Sequence, residues 1–221
     1  MKDRRQYIIR KAMELYALEG YQNVSITDLQ NALDIGRGTL YYYFKDQDEL
    51  FRTCMETYFL EPKHRALNSV GEDVTFEQMI QTMMSYLHSL EDALMTFDDK
   101  RVNTSNVNNL MFTAYSLFPA LHRKAQRLAL KEVELWRKAI YNSQRAGIIR
   151  RGIDVEMIAL MCAHIKNSYD SGLGQTQMDF TLLEKTYNLF YNLLKKEYFV
   201  LLNFTLRLKQ NKIIYTRRNC S

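Results

Sequence analysis

Residues 25–44 contain two short apolar repeats separated by turn-forming residues, and this stretch constrains the fold of the 221-residue chain most strongly. In each repeat two large apolar residues stand four positions apart, which places them on one face of a helix. The pairs are Leu29 with Leu33 and Leu40 with Phe44. Asp34 and Gly36, between the repeats, tolerate tight turns. The segment is therefore predicted to form two short helices locked together by their apolar faces.

The second predicted helix has a polar and aromatic face opposite its apolar side. Tyrosine hydroxyls, a lysine ammonium and the free N–H groups at helix starts all bind phosphate oxygens, and an arginine pairs bidentately with guanine. Gly38, Tyr42 and Lys45 lie on this face, and Thr39 and Tyr41 flank it. Arg37 lies nearer the edge of the buried side, but its length lets the guanidinium reach outward from the first turn. Spacing alone leaves open a purely structural helical hairpin with exposed tyrosines.

The run Gly38-Thr39-Leu40-Tyr41-Tyr42-Tyr43-Phe44 follows an amphipathic helix at residues 8–16 and a Gly20-Tyr21 break. In order, spacing and residue type this N-terminal part resembles the TetR/AcrR family of bacterial regulators. The resemblance implies an all-α fold, with a three-helix helix-turn-helix head before a larger helical domain for ligand binding and dimerisation. It also implies a ligand-responsive DNA-binding transcriptional regulator, in the first instance a repressor that a small molecule releases from its operator.

Carried over residue by residue, the resemblance predicts the contacts to double-stranded operator DNA. They are Ser25, Thr27, Arg37, Gly38, Thr39, Tyr41, Tyr42, Lys45 and Gln47. Gln47 stands where the family often has a lysine, so a phosphate contact is expected to be weaker or to move to Lys45. Leu33-Asp34 replaces the usual Ala-Gly before the turn, and the turn is expected to survive this change.

The predicted domains are a DNA-binding head at 1–48, a ligand-binding and dimerisation domain at 49–209 and a basic C-terminal tail at 210–221. Asp46 or Asp48 starts the fourth helix, which continues past Pro62 as a bent segment. Thr75 precedes the next helix, residues 98–106 form a polar break, and a helix covers 110–118. Pro119 opens a long helix to Gly147. The final helix is expected to extend beyond residue 197, with a loose end after Lys209.

By resemblance, the last two major helices, about 154–171 and 178–198, form the homodimer interface. Adaptable and aromatic side chains in the middle of the chain are candidates for the wall of an effector pocket. These candidates are Met83, Met84, Met111, Phe112, Tyr115, Phe118 and Trp136.

Composition limits the classes of protein to which the chain could belong. Basic and acidic residues nearly balance in the first fifty positions, so DNA affinity must depend on a few placed groups, and the positive excess lies after residue 184. No signal peptide or membrane span is predicted, and a cytoplasmic location is expected. The histidines and cysteines lack metal-ligand spacing, and neither a cofactor nor a catalytic residue is predicted. Two alternatives remain: a second domain that binds a protein partner, and an enzyme on a helical scaffold.

Overall fold

The computed structural model describes residues 2–171 and 179–196, with side chains at 4–103, 106–165 and 179–196. Every element in these ranges is helical, apart from one isolated antiparallel bridge between Ile149 and Lys195. The predicted all-α fold is confirmed.

The head comprises the first helices of the chain. They are α1 (Lys2–Glu19), α2 (Ile26–Leu33), α3 (Arg37–Tyr43) and α4 (Gln47–Met55), with a single 3₁₀ turn at Tyr21–Asn23. One side of α1 is fully buried and packs on α2 and α4, as its amphipathic pattern predicts. Helices α1, α2 and α3 thus form the three-helix unit, in which α3 is the shortest, and α4 leads on into the body.

The fourth helix does not stop at the edge of the head. It passes through a π-helical turn at Glu56–Leu60 directly into α5 (Glu61–Asn68), whose first turn contains Pro62. Proline fits there because the first N–H groups of a helix segment lack intrahelical partners. The predicted continuation of the fourth helix past Pro62 is confirmed, and it forms a continuous link between head and body.

The body contains the longer helices. They are α6 (Phe76–Met95), α7 (Thr104–Leu117), α8 (Pro119–Arg145), α9 (Val155–Ser171) and α10 (Phe180–Leu194). Thr75, as predicted, caps α6, and its side chain accepts a hydrogen bond from the Gln78 N–H at 3.3 Å. The buried core runs without interruption from α1 to α10. The proposed boundary between residues 48 and 49 falls inside α4 and stays a prediction.

Two predicted helix boundaries are wrong. Helix α7 begins at Thr104, inside the predicted polar break, because Asn103 and Asn106 cap each other's backbone N–H groups at 3.1 and 3.0 Å. Helix α10 ends at Leu194, because Lys195 is extended and its neighbours pair with the corner near Ile149. Residues 197–221, including the predicted tail, lie outside the described residues.

Charged side chains join α1 to the loop between α6 and α7. Asp98 accepts from Lys11 Nζ at 2.6 Å and from Arg10 Nη1 at 3.1 Å, and these bonds hold the pKa of Asp98 at about 2. The Asp99 N–H donates to the buried Glu14 carboxylate. The head is therefore docked on the body by hydrogen bonds as well as by apolar packing.

Candidate nucleic-acid interface and cavity

The start of α2 is fixed by a reciprocal cap. The Ser25 hydroxyl accepts a hydrogen bond from the Asp28 N–H at 3.2 Å, while the Asp28 carboxylate accepts from the Ser25 N–H at 2.8 Å and from its hydroxyl at 2.6 Å. These bonds lower the pKa of Asp28 below its ordinary value. Ser25 and Thr27 are exposed, at the helix end where a phosphate oxygen is favoured.

The turn between α2 and α3 depends on a left-handed residue. Asp34 has φ 50° and ψ 52°, a conformation that aspartate tolerates better than most residues, and its N–H closes the end of α2 on the Asn31 carbonyl at 3.3 Å. Gly36 follows with ordinary extended angles and begins α3. The predicted turn is confirmed, and Asp34 rather than Gly36 provides its unusual backbone angle.

Helix α3 is anchored by buried apolar side chains, and the rest of its surface is exposed to solvent. Leu40 and Phe44 are 2% exposed, whereas Tyr42 is 68% exposed and Tyr41 is 41% exposed. Arg37, Gly38, Thr39 and Lys45 are exposed as well. A side chain can contact base edges only if packing does not already occupy it, so this division suits a reading helix.

Neighbouring aromatic rings order the exposed side chains of α3. The Arg37 guanidinium carbon lies 5.5 Å from the centre of the Tyr41 ring, one helical turn away. The rings of Tyr42 and Tyr43 meet edge to face at 4.9 Å. At Gly38 nothing lies within 4 Å of where a Cβ would be, so a DNA backbone could approach this point closely.

Gln47 is the predicted DNA contact that the structure does not place with the others. Its side chain is half-buried, and Nε2 donates to the Val24 carbonyl at 2.6 Å, which fixes the turn before α2. In this structure the amide therefore supports the head from inside.

A cavity of about 1140 Å³ lies in the body, beside the π-helical turn and between α6, α7, α8 and α9. Its wall is mainly apolar and aromatic. Of the predicted pocket residues, Met111, Phe112 and Tyr115 line it, and burial raises the pKa of Tyr115 to about 12.

Four of the predicted pocket residues do not line this cavity. Met83 and Met84 are buried in the core on α6. Trp136 is fully buried and packs 5.7 Å from the Tyr187 ring. Phe118 lies at the junction of α7 and α8, where its ring packs 5.7 Å from Phe51 of the head. Long-range packing uses these side chains, and no local pattern distinguishes a core residue from a cavity residue.

The cavity wall also contains polar residues that the sequence analysis missed. Lys63 and Glu132 form an ion pair at 2.6 Å, and Asn108 Nδ2 is buried without a hydrogen-bond partner in the described part of the chain. An unsatisfied buried donor is costly, and a ligand oxygen would remove that cost. Lys63 and Glu132 are far apart in sequence, so no spacing could have indicated them.

Large apolar side chains remain exposed on the last two described helices. Each is between 40% and 59% exposed: Met157, Leu160 and Met161 on α9, and Leu182, Leu189 and Leu193 on α10. Large exposed apolar side chains concentrated on two helices that pack together are typical of a protein interface. Leu160 also belongs to the cavity wall, so the surface and the cavity adjoin.

Three further features of the described ranges concern metal binding, the cysteines and membrane-spanning helices. Residues 2–171 and 179–196 contain no group of three or more His, Cys, Asp or Glu side chains that could hold a metal ion. Cys54 and Cys162 are buried, and burial raises the pKa of both thiols. None of the described helices is both long enough and apolar enough to cross a bilayer.

A short helix that presents polar and aromatic side chains from a helix-turn-helix head, linked to a helical body with a cavity, defines a protein of the helix-turn-helix regulator class. Residues 8–54 match the family described as bacterial regulatory proteins, tetR family. Over these residues, which form the head, the chain is similar to regulators of the TetR family.

Relatives and solved structures agree with this assignment. The chain is 22% identical over 92 residues to the biofilm operon icaADBC HTH-type negative transcriptional regulator IcaR of Staphylococcus epidermidis, covering 42% of this chain and 48% of IcaR. It is 31% identical over 55 residues to the HTH-type transcriptional regulator AcrR of Shigella flexneri, covering 25% of this chain and 26% of AcrR. The matches thus span less than half the length of these curated relatives.

The similarity of fold extends much further along the chain. The crystal structure of a bacterial regulatory protein in the tetR family from Rhodococcus RHA1 superimposes with a TM-score of 0.62 at 17% identity. The match covers 86% of this chain and 96% of that one. The body therefore has the fold of TetR-family regulators even where sequence similarity is low.

Proposed function

We propose that this protein is a ligand-responsive DNA-binding transcriptional regulator, which represses by occupying an operator and is released by a small molecule. The observation that carries the proposal is that α3 exposes its polar and aromatic side chains while its apolar side is buried. IcaR, a relative over 92 residues, is described as a negative transcriptional regulator, and this description favours repression. A protein that occupies an operator works where the DNA is, so the proposal includes a cytoplasmic location.

The roles in DNA recognition follow from position on the head. Arg37 and Tyr42 would read base edges or nearby phosphates, with Tyr41 holding the guanidinium in place. Ser25 and Thr27 would contact phosphates at the start of α2, and Lys45 would do so at the end of α3. The remaining proposed contacts, Gly38 and Thr39, lie on the same helix. We propose that Gln47 holds the turn before α2 in place and does not contact the DNA.

We also propose that two copies pair through α9 and α10. The exposed apolar side chains of these helices would be covered by the same surface of a second copy, as two-fold symmetry requires. One reading helix spans few base pairs, and a two-fold dimer presents two of them to successive major grooves.

The cavity is proposed as the effector site, and its position suggests how binding reaches the head. Tyr58, Phe59 and Leu60 of the π-helical turn line it, directly between α4 and α5. A ligand with higher affinity for one orientation of this link would shift the population of head positions. A cavity-free body would have favoured a protein partner instead, and the cavity is why we prefer a small molecule.

Fluorescence anisotropy with the full-length protein tests DNA binding. Labelled fragments from upstream of the gene are titrated at about 150 mM salt, because affinities for DNA depend on salt concentration. We expect one fragment to bind more tightly than a random duplex of equal length. If no fragment is preferred to random DNA, the proposal that the protein occupies an operator fails.

A further inference from the structure

The wall of the cavity contains a deeply buried carboxylate. Glu132, in the middle of α8, keeps only 2% of its side-chain surface exposed, and its Oε2 lies 2.6 Å from Lys63 Nζ. A carboxylate removed from water requires a positive partner, because an uncompensated buried charge is strongly destabilising. This position in the cavity is therefore built for a cation.

The cation that occupies the position now is attached to the linking helix. Lys63 lies on α5, immediately after the π-helical turn, and 16% of its side chain remains exposed. Its ammonium is carried on a flexible four-carbon stem, which can withdraw towards water while its helix stays in place. Glu132 is held by the packed core of α8. The anion is thus fixed and its counter-ion is movable.

The second carboxylate and the aromatic rings of the wall favour the same sign of ligand charge. Glu91 adds a second carboxylate, so carboxylates outnumber lysines along the wall. Aromatic rings of Tyr58, Tyr86 and Tyr115 provide faces that attract cations. An anionic ligand would meet Glu132 at close range, and Lys63 is already engaged there.

We propose that the cavity binds an organic cation, an amine on an apolar skeleton, and that its ammonium replaces the Lys63 ammonium on Glu132. This inference rests on the proposed function, because it assigns a chemical class to the effector site. The exchange breaks one of the polar contacts between α5 and α8, beside the Lys131–Asn68 hydrogen bond and the Lys124–Glu56 pair at the π-helical turn. Since α5 continues through the π-helical turn into α4, loss of the Lys63–Glu132 pair weakens the attachment of the link to α8.

Three probes with one skeleton test the charge preference. Phenylbutylamine, phenylbutanol and phenylbutyrate differ mainly in the head group, which is cationic, neutral and anionic near neutral pH. Isothermal titration calorimetry of the full-length protein should give at least about tenfold tighter binding for the amine than for the alcohol, and weaker binding still for the carboxylate. Equal affinity for amine and alcohol, tighter carboxylate binding, or no amine binding overturns the inference.

Three single substitutions test the exchange itself. Lys63→Met removes the competing ammonium, so amine affinity should rise by at least about tenfold while alcohol affinity stays unchanged. Glu132→Gln should abolish the preference for the amine. Glu91→Gln, the matched control at the other carboxylate of the wall, should keep most of it. Unchanged amine affinity in Lys63→Met would overturn the exchange.

Lys63→Met leaves Glu132 without this partner and risks misfolding, so a double variant provides the second test. Lys63→Met/Glu132→Gln has neither charge and should bind amine and alcohol equally. A retained preference for the amine would overturn the role of the pair.

Anisotropy measurements of DNA release in the presence of each probe distinguish failure of the cation assignment from failure of the proposed function. If the alcohol or the carboxylate alone releases DNA, ligand response stands and the charge assignment fails. If the amine binds as predicted but the protein has no preferred DNA, the cation site stands and the proposed function fails.

Discussion

Helices α3 and α8 are both proposed to carry function, and they are held in place in different ways. The reading helix α3 has seven residues, and its buried supports, Leu40 and Phe44, share a cluster with Leu29 and Leu33 nearby in sequence. Helix α8 has 27 residues, and its partners come from distant parts of the chain. The pairs Lys63–Glu132, Phe76–Trp136 and Trp136–Tyr187 are examples.

Because of this difference, the residues proposed to bind DNA are distinct from those that stabilise the head, whereas in the body the two sets overlap. Exposed residues of α3 can be changed without removing any support of the fold. Residues of α8 contribute at once to the core and to the cavity, so substitutions there change both. The head therefore offers clean tests of recognition, and the body offers tests of packing.

Removing a core aromatic of α8 should have the largest effect. Trp136→Ala leaves a large void beside Phe76 and Tyr187, and we expect the free energy of unfolding to fall by about 3–5 kcal/mol. Urea denaturation followed by circular dichroism measures it. The control, Phe112→Ala at a 70% exposed position of the cavity rim, should stay within about 0.5 kcal/mol of the parent. Equal losses for the two would contradict the packing described for α8.

A substitution on α3 should show the opposite behaviour. Tyr42→Ala should weaken specific DNA binding by about 1–3 kcal/mol while unfolding free energy and oligomeric state stay unchanged, because the side chain is 68% exposed. Anisotropy and analytical ultracentrifugation measure the two properties. Tyr141→Ala, at a 48% exposed tyrosine on α8, is the matched control and should leave DNA binding intact. Dissociated Tyr42→Ala monomers would instead give Tyr42 a structural role.

The same contrast explains how far the sequence predicts the molecule. The turn at Asp34 and the faces of α3 follow from residues within a few positions of one another, and the sequence predicts both. The cavity depends on where helices from distant parts of the chain meet. Met111, Phe112 and Tyr115 were found because their segment borders it, whereas the Lys63–Glu132 pair has no local signal.

Residue types alone do not decide the place of Trp136 and Phe118, which lie outside this cavity's wall, since aromatic rings suit a packed core as well as a ligand pocket. Gln47 shows the same limit in the head. Its position matches a family contact to DNA, but its amide reaches the Val24 carbonyl. Motif spacing predicts which helix a residue belongs to, but it does not determine which neighbouring group the side chain contacts.

The caps of α2 and α6 allow a matched comparison of head and body. Ser25→Ala and Thr75→Ala each remove a side chain that accepts a backbone N–H, and each should lower the unfolding free energy by about 1 kcal/mol. Only Ser25→Ala should also weaken DNA binding, because Ser25 is a proposed phosphate contact. Equal DNA affinities for the two variants, measured by anisotropy, would remove Ser25 from the interface.

The smallest expected effect is the response of these caps to acid. The pKa of Asp28 is lowered in the folded state, so its contribution to stability is present above the ordinary value of 3.8 and is lost as pH falls through the folded pKa. Gln78 does not titrate, so the α6 cap should not respond. Asp28→Asn should therefore have a smaller acid-induced loss of stability than the parent in urea titrations from neutral pH to below 4. Identical losses would show that the cap bond is not pH-linked.

Selection from a random duplex library with the full-length protein tests the central claim most directly, because it does not depend on where an operator lies. We predict an enriched sequence with two-fold symmetry, bound at least about a thousandfold more tightly than random DNA by the parent and much less selectively by Tyr42→Ala. Failure to enrich any sequence over the starting library would contradict the assignment of α3 as a reading helix.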